Sequence, residues 1–121
     1  MTRMVEKPWG AEEVFAETDA YVGKILTVQA GEALSLQYHV RKDETMRVLE
    51  GWCELHLGRE PGSRKLEVAV LGPGDVRRIR PGTLHRLVAL TALRVLEVST
   101  PELDDVVRLE DRYGRVGAGD P

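Results

Sequence analysis

The chain is short of cysteine: Cys53 is its single one among 121 residues. That excludes an internal disulfide and a cysteine-only zinc site. Its apolar neighbours mark it as a buried small residue, and a lone thiol suits a reducing cytoplasm. Long hydrophobic runs are lacking too, so no helical bilayer span is expected. The opening "MTRMVEKPWG" has no apolar signal-peptide core, and a cytoplasmic location is expected. There is no positive excess: 17 Lys+Arg against 20 Asp+Glu give a net charge of −3. No global positive field exists to hold nucleic acid, and no membrane partner is expected. Internal repeats and linkers are absent as well. A single domain over 1–121 is expected, with its core over about 5–115 and a frayed end at 116–121.

What the chain does have is punctuation. Glycines and prolines recur at short intervals, including Gly31, Gly51, Pro61-Gly62, Gly72-Pro73-Gly74 and Pro81-Gly82. Between them lie nine strand-sized runs: "EEVFAET", "YVGKILTVQ", "LSLQYHV", "TMRVLEG", "WCELHLG", "KLEVAVLG", "DVRRIR", "HRLVAL" and "LRVLEVST". No stretch before residue 100 carries sustained helical periodicity. The pattern predicts an all-β fold, an antiparallel sandwich or barrel. After Pro101, "PELDDVVRLEDRYGR" predicts one helical turn over 102–107, with acids at its positive end. Trp9 is expected to plug one end of the barrel.

One stretch departs from the apolar theme. In "LSLQYHV" alternation puts Ser35, Gln37 and His39 on one face and Leu34, Leu36, Tyr38 and Val40 on the other. Glu44 follows within the same glycine-bounded segment, Gly31 to Gly51. A second segment, "GPGDVRRIRPGTLHRL", repeats the layout of glycine turn, strand and ligand-type residue, ending in His85. Imidazole, carboxylate and amide together suit a borderline-to-hard divalent ion with room for water or a substrate oxygen. Zinc, manganese, cobalt, nickel and iron are all compatible with such a set.

These two segments resemble the paired motifs of the cupin superfamily, small β-barrels with one metal ion at the mouth. The first reads Gly31, five residues, Gln37-x-His39, four residues, Glu44, six residues, Gly51, with Gln37 where the general pattern has histidine. The second reads Gly74, five residues, Arg80-Pro81-Gly82-Thr83-Leu84-His85, with Ala89 where an asparagine is usual. "EKPWG", "GEALSLQYH", "PGTLHR" and "DDVVRLEDRYGR" further resemble the type II phosphomannose isomerase cupin module, from about Val5 to Arg115. Such modules often follow a guanylyltransferase domain; the expectation here is a stand-alone module. The resemblance implies a jelly-roll barrel, the ligands Gln37, His39, Glu44 and His85, zinc as the ion, and interconversion of mannose 6-phosphate and fructose 6-phosphate. Val40, Arg41, Thr45 and Met46 stand where the family has three histidines and a tryptophan. A module that keeps metal and binds a carbohydrate, sugar phosphate or sugar nucleotide without turnover is therefore the alternative.

Aldose–ketose isomerisation needs a base that moves a proton between adjacent carbons, and a grip for the phosphate. Glu97 interrupts an apolar strand and is a candidate base or ligand support; an ordinary solvated charge reads the same. Lys42 is a candidate for the proton-transfer machinery or the phosphate grip, and Arg86 and Arg47 are candidates for the grip. His56 shares a face with Trp52 and Glu54 and is expected to face solvent or pack. Leu34, Leu36 and Tyr38, opposite the ligands, predict an apolar outer face covered in a homodimer.

Overall fold

The computed structural model describes residues 2–118. The nine sequence-predicted runs become β2 (Gly10–Glu17), β3 (Val22–Val28), β4 (Leu36–Tyr38), β5 (Glu44–Glu50), β6 (Cys53–Gly58), β7 (Glu67–Leu71), β8 (Val76–Ile79), β9 (Leu84–Ala89) and β10 (Leu93–Ser99). Three more strands join them: β1 (Arg3–Lys7), β11 (Val107–Glu110) and β12 (Gly117–Ala118). They form two six-stranded sheets, β1-β2-β3-β10-β5-β8 and β12-β11-β4-β9-β6-β7. Every strand pairing is antiparallel.

Alternation along the strands builds the core. In β5, Met46 and Val48 turn inward while Arg47 faces out; in β10, Leu93 and Val95 turn inward between Arg94 and Leu96. These meet Leu26 and Val28 of β3 and Cys53, Leu55, Leu87 and Ala89 of the opposite sheet in one apolar cluster, with Trp9 at its edge. Cys53 is fully buried. The β5–β6 turn needs its glycine. Gly51 has φ 85°, and an added Cβ would stand 2.1 Å from the Ala92 carbonyl oxygen.

The region after Pro101 differs from expectation. No helix forms there among the described residues: 101–106 is a turn segment, closed by Leu103 N–H to the Pro101 carbonyl at 2.8 Å and Val106 N–H to the Asp104 carbonyl at 3.0 Å. Asp105 serves backbone amides across the fold instead of a helix end, and the chain becomes extended again in β11. The end expected to fray carries a paired strand, β12, and 119–121 lie outside the described residues. The apolar face expected at Leu34, Leu36 and Tyr38 is not a free surface. β11 pairs beside β4, Leu36 is 7% exposed, and Leu34 packs on the core. Among the described residues no helix is long and apolar enough to cross a membrane.

The core assignment has a direct test. Leu55→Ala removes a side chain with 0% exposure and is expected to cost about 2–5 kcal/mol. Val76→Ala, at a position 47% exposed, is expected to change stability by about 0.5 kcal/mol or less. Urea unfolding of both variants checks this; similar losses would contradict the inside–outside assignment.

Candidate metal centre

Gln37 lies on β4 and pairs directly with His85 at the start of β9. His39 follows β4 by one residue, and Glu44 opens β5 between Ser99 and Ile79. Gly82 ties the two ligand segments together: its N–H donates to the His39 carbonyl at 2.7 Å. Both sheets thus send polar side chains toward one end of the barrel interior. His39 Nε2 is 3.4 Å from Glu44 Oε1, and His85 Nε2 is 3.2 Å from the same oxygen. One ligand-type atom from each of the three residues lies within 4.8 Å of the others, and all three residues are buried.

The imidazoles are fixed from behind. His39 Nδ1 is 2.6 Å from the Asp105 carbonyl oxygen and His85 Nδ1 is 2.9 Å from that of Thr83. A carbonyl can only accept, so each Nδ1 carries a proton, and in the neutral ring each Nε2 presents a lone pair. Both Nε2 atoms are buried without a hydrogen-bond partner. Leaving such atoms unsatisfied is costly, and a divalent cation would satisfy both together with the Glu44 carboxylate. The donor set therefore fits a metal ion. Gln37 lines the same cavity, its Oε1 accepting from Ser35 Oγ at 3.2 Å.

Beside this trio lies a chain of buried charge. Lys42 Nζ is 3.3 Å from Glu44 Oε2 and 3.5 Å from Glu97 Oε1. Burial works against the Lys42 charge, but Glu97 and Glu44 overcome it and raise its pKa. Burial also pushes Glu44 upward, yet the two imidazoles, where protonated at Nε2 in the absence of metal, and Lys42 hold it well below the ordinary carboxylate range. Glu97 goes the other way: burial and the Glu44 charge lift it to about 7 despite Lys42. Two adjacent carboxyls are thus driven apart, one kept ionised and one poised near neutrality.

Residues 1–111 match the family described as "Mannose-6-phosphate isomerase C-terminal". The chain belongs to that family. Among curated relatives, mannose-1-phosphate guanylyltransferase ManC of Salmonella typhimurium is 36% identical, over 96% of this chain and 24% of that protein. Xanthan biosynthesis protein XanB of Xanthomonas campestris is 34% identical over 93% and 24%. The chain spans about a quarter of the length of these relatives. The solved structure of KdgF from Halomonas sp. superposes with TM-score 0.71 at 24% identity, over 85% of this chain and 91% of that one. CapF from Staphylococcus aureus gives TM-score 0.75 at 18% identity, over 92% and 33%. These likenesses agree with the two-sheet jelly roll of the cupins.

Within this isomerase-family domain the candidates divide cleanly. Lys42 and Glu97 line the cavity with His39, Glu44 and Gln37, and His85 joins His39 and Glu44 at its metal end. Arg86 and Arg47 do not. Arg86 is adjacent in sequence to His85 and so projects through the opposite face, where it donates to His56 Nδ1 and lies 3.3 Å from Glu110. Arg47 is exposed on the outside of β5, between inward Met46 and Val48. His56 is likewise on the outer face, its Nε2 3.0 Å from Glu54 Oε1. Val40, Arg41, Thr45 and Met46 are absent from the cavity wall: Val40 is 62% exposed, and Met46 lies in the core cluster.

Sequence reasoning missed the far half of the cavity. Lys24 and Glu12 form a buried pair at 3.2 Å, and Lys7, Arg108 and Arg115 line the wall beside them. Lys7 is depressed by burial and by the charges of Lys24, Arg108 and Arg115, against the pull of Glu12. A lone Lys in the apolar run "VGKILTV" was the available signal for Lys24. Arg108 follows directly on the stretch read as a helical turn, 102–107, and the strand that carries it was not expected. In the "EDRYGR" end, Tyr113 packs on the core and donates to Glu32, and Arg115 pairs with Asp111 at 2.8 Å.

The raised Glu97 and His85 values set a pH dependence. Both groups bind a proton more tightly folded than unfolded, so stability falls as pH rises. For Glu97 the window runs from its ordinary 4.5 to about 7. Glu44, held low, contributes stability that is lost only below its own ordinary 4.5. The melting temperature of metal-free protein is expected to fall as pH rises from about 4.5 to about 7, and Glu97→Gln to flatten that fall. A wild-type curve that stays level or rises contradicts the assignment.

Proposed function

We propose that this chain is a metal-dependent aldose–ketose isomerase that interconverts mannose 6-phosphate and fructose 6-phosphate in the cytoplasm. The observation that carries the reading is the juxtaposition of His39, Glu44 and His85 with a carboxyl poised near neutrality, Glu97, in one cavity. Membership of the isomerase family supplies the reaction class. Gln37, His39, Glu44 and His85 would hold the ion. When bound, that ion, zinc by family likeness, would polarise the sugar carbonyl and stabilise developing oxyanion charge.

The chain's own residues supply the proton path. Glu97, as carboxylate, takes the proton from C2 of the open-chain aldose and returns it to C1. The electron pair left by the C2 proton forms the enediol double bond, and the hydroxyl proton passes from O2 to O1. A carboxyl near pH 7 serves as both acceptor and donor. Lys42, cationic between Glu44 and Glu97, keeps the base oriented and offers N–H donors toward the sugar oxygens. The phosphate falls to Lys7, Arg108 and Arg115 at the other end of the cavity, since guanidinium and ammonium groups suit phosphate. The cavity holds about 50 Å³ of free space, room for roughly four waters.

The altered family positions favour turnover over binding alone. Val40, Arg41 and Thr45 lie off the cavity wall, so losing imidazoles there leaves Glu97 and Lys42 in place. The test is a coupled assay of metal-replete protein with mannose 6-phosphate. Turnover is expected; Glu97→Gln is expected to lower kcat by about 10²–10⁴-fold with metal content unchanged, and His85→Ala to lose metal and activity together. No wild-type turnover, with mannose 6-phosphate still raising the melting temperature, selects the non-catalytic binder.

A homodimer is also proposed, on the outer edge of β7. Val68 and Val70 are 55% and 58% exposed there, on the last strand of their sheet, and an apolar sheet edge is a pairing site. Sedimentation at micromolar concentration is expected to give twice the 13.5 kDa chain mass, and Val70→Lys to halve it. A monomeric wild type contradicts the dimer.

A further inference from the structure

The two imidazoles of the metal centre are oriented in different ways. His85 is held by the Thr83 carbonyl, two residues away on its own turn. His39 is held by the Asp105 carbonyl, 66 residues away on the segment between β10 and β11. A carbonyl on a loop can fix a ring only if the loop itself is fixed.

Asp105 supplies that fixing through its own side chain. Its Oδ1 accepts from Val40 N–H at 3.0 Å, and its Oδ2 accepts from Arg41 N–H at 2.6 Å and Lys42 N–H at 2.9 Å. Three consecutive amides, on the turn that joins His39 to Glu44, therefore converge on one carboxylate. The base of the segment is clipped to the same turn: Thr100 N–H donates to the Asp43 carbonyl and Asp43 N–H to Thr100 Oγ1, each at 3.0 Å. Hydrogen bonds to an ionised acceptor are the strong ones.

We propose that Asp105 is the positioning residue of the metal centre, aiming His39 Nε2 at the ion while holding the 40–42 turn that spaces His39 from Lys42 and Glu44. This rests on the metal reading above. The backbone carbonyl fixes which ring nitrogen carries the proton, and the carboxylate fixes where that carbonyl stands. Leu103 and Val106, on either side, line the cavity wall, so the segment that closes the cavity is also the one that orients the ligand. Partners of this kind behind a metal-bound imidazole are worth about 10–100-fold in metal affinity.

The test is Co(II) titration of the full chain, followed by its visible absorption spectrum, in wild type, Asp105→Ala, Asp105→Asn and Asp75→Ala. Asp75 is the control because its Oδ2 likewise accepts a turn amide, Gly72 N–H at 2.8 Å, at a site that touches no ligand. Expected are a loss of about 10–100-fold in Co(II) affinity with an altered spectrum in Asp105→Ala, a smaller loss in Asp105→Asn, and wild-type affinity in Asp75→Ala. Should Asp105→Ala not fold, Asp105→Asn is read in the same way. Affinity and spectrum unchanged in the Asp105 variants, while their melting temperatures fall as in Asp75→Ala, overturn the proposal but leave the metal centre standing. A wild type that binds no Co(II) overturns both.

Discussion

Two backbone carbonyls, on Asp105 and Thr83, govern the rest of this site. By taking the Nδ1 protons of His39 and His85 they turn both Nε2 lone pairs toward one oxygen of Glu44. With both rings neutral, three electron-rich atoms face one buried point and the two nitrogens have no hydrogen-bond partner. A cation at that point is the arrangement's natural complement. The β-structure around it serves to bring segments 37–44 and 82–85 together and to keep water scarce, so that each charge acts at low dielectric.

The same dryness organises the charges behind the trio. Lys42 is placed between Glu44 and Glu97, so one ammonium compensates two carboxyls that cannot both ionise freely. Glu44 takes the stronger stabilisation because, without metal, imidazoles protonated at Nε2 face it as well. Glu97 is left near neutrality, which is the protonation behaviour a reversible base requires. Farther along the wall, Lys24 with Glu12, then Lys7, Arg108 and Arg115, give the cavity a cationic end. Polarity thus runs from ligand-type groups at one end of the cavity to cationic groups at the other.

Much of this was legible because strands impose a period of two. Alternation in "LSLQYHV" placed Gln37 and His39 on one face, and the glycine-bounded spacing tied them to Glu44 and His85; all four lie at one end of the barrel. Glu97 and Lys42 were visible as charges inside otherwise apolar or ligand-bearing stretches. What failed did so for the same geometric reason. Arg86 next to His85 must face the other way, and Arg47 next to Met46 likewise. The region after Pro101 misled because its acids resemble a helix start; Asp105 is instead committed to amides 63–65 residues distant. Long-range capping of that kind leaves no periodic trace, so Arg108 and Arg115 could not be placed in the cavity from local pattern alone.

The central claim is that the His39 and His85 Nε2 atoms and Glu44 share one cation. Anomalous scattering from crystals of metal-replete protein, collected at the absorption edge of the bound ion, measures this most directly. A single peak per chain, about 2.0–2.2 Å from both Nε2 atoms and from a Glu44 oxygen, is the predicted result. A fully ordered site with no peak between these side chains, or a peak bound elsewhere on the chain, would contradict the account.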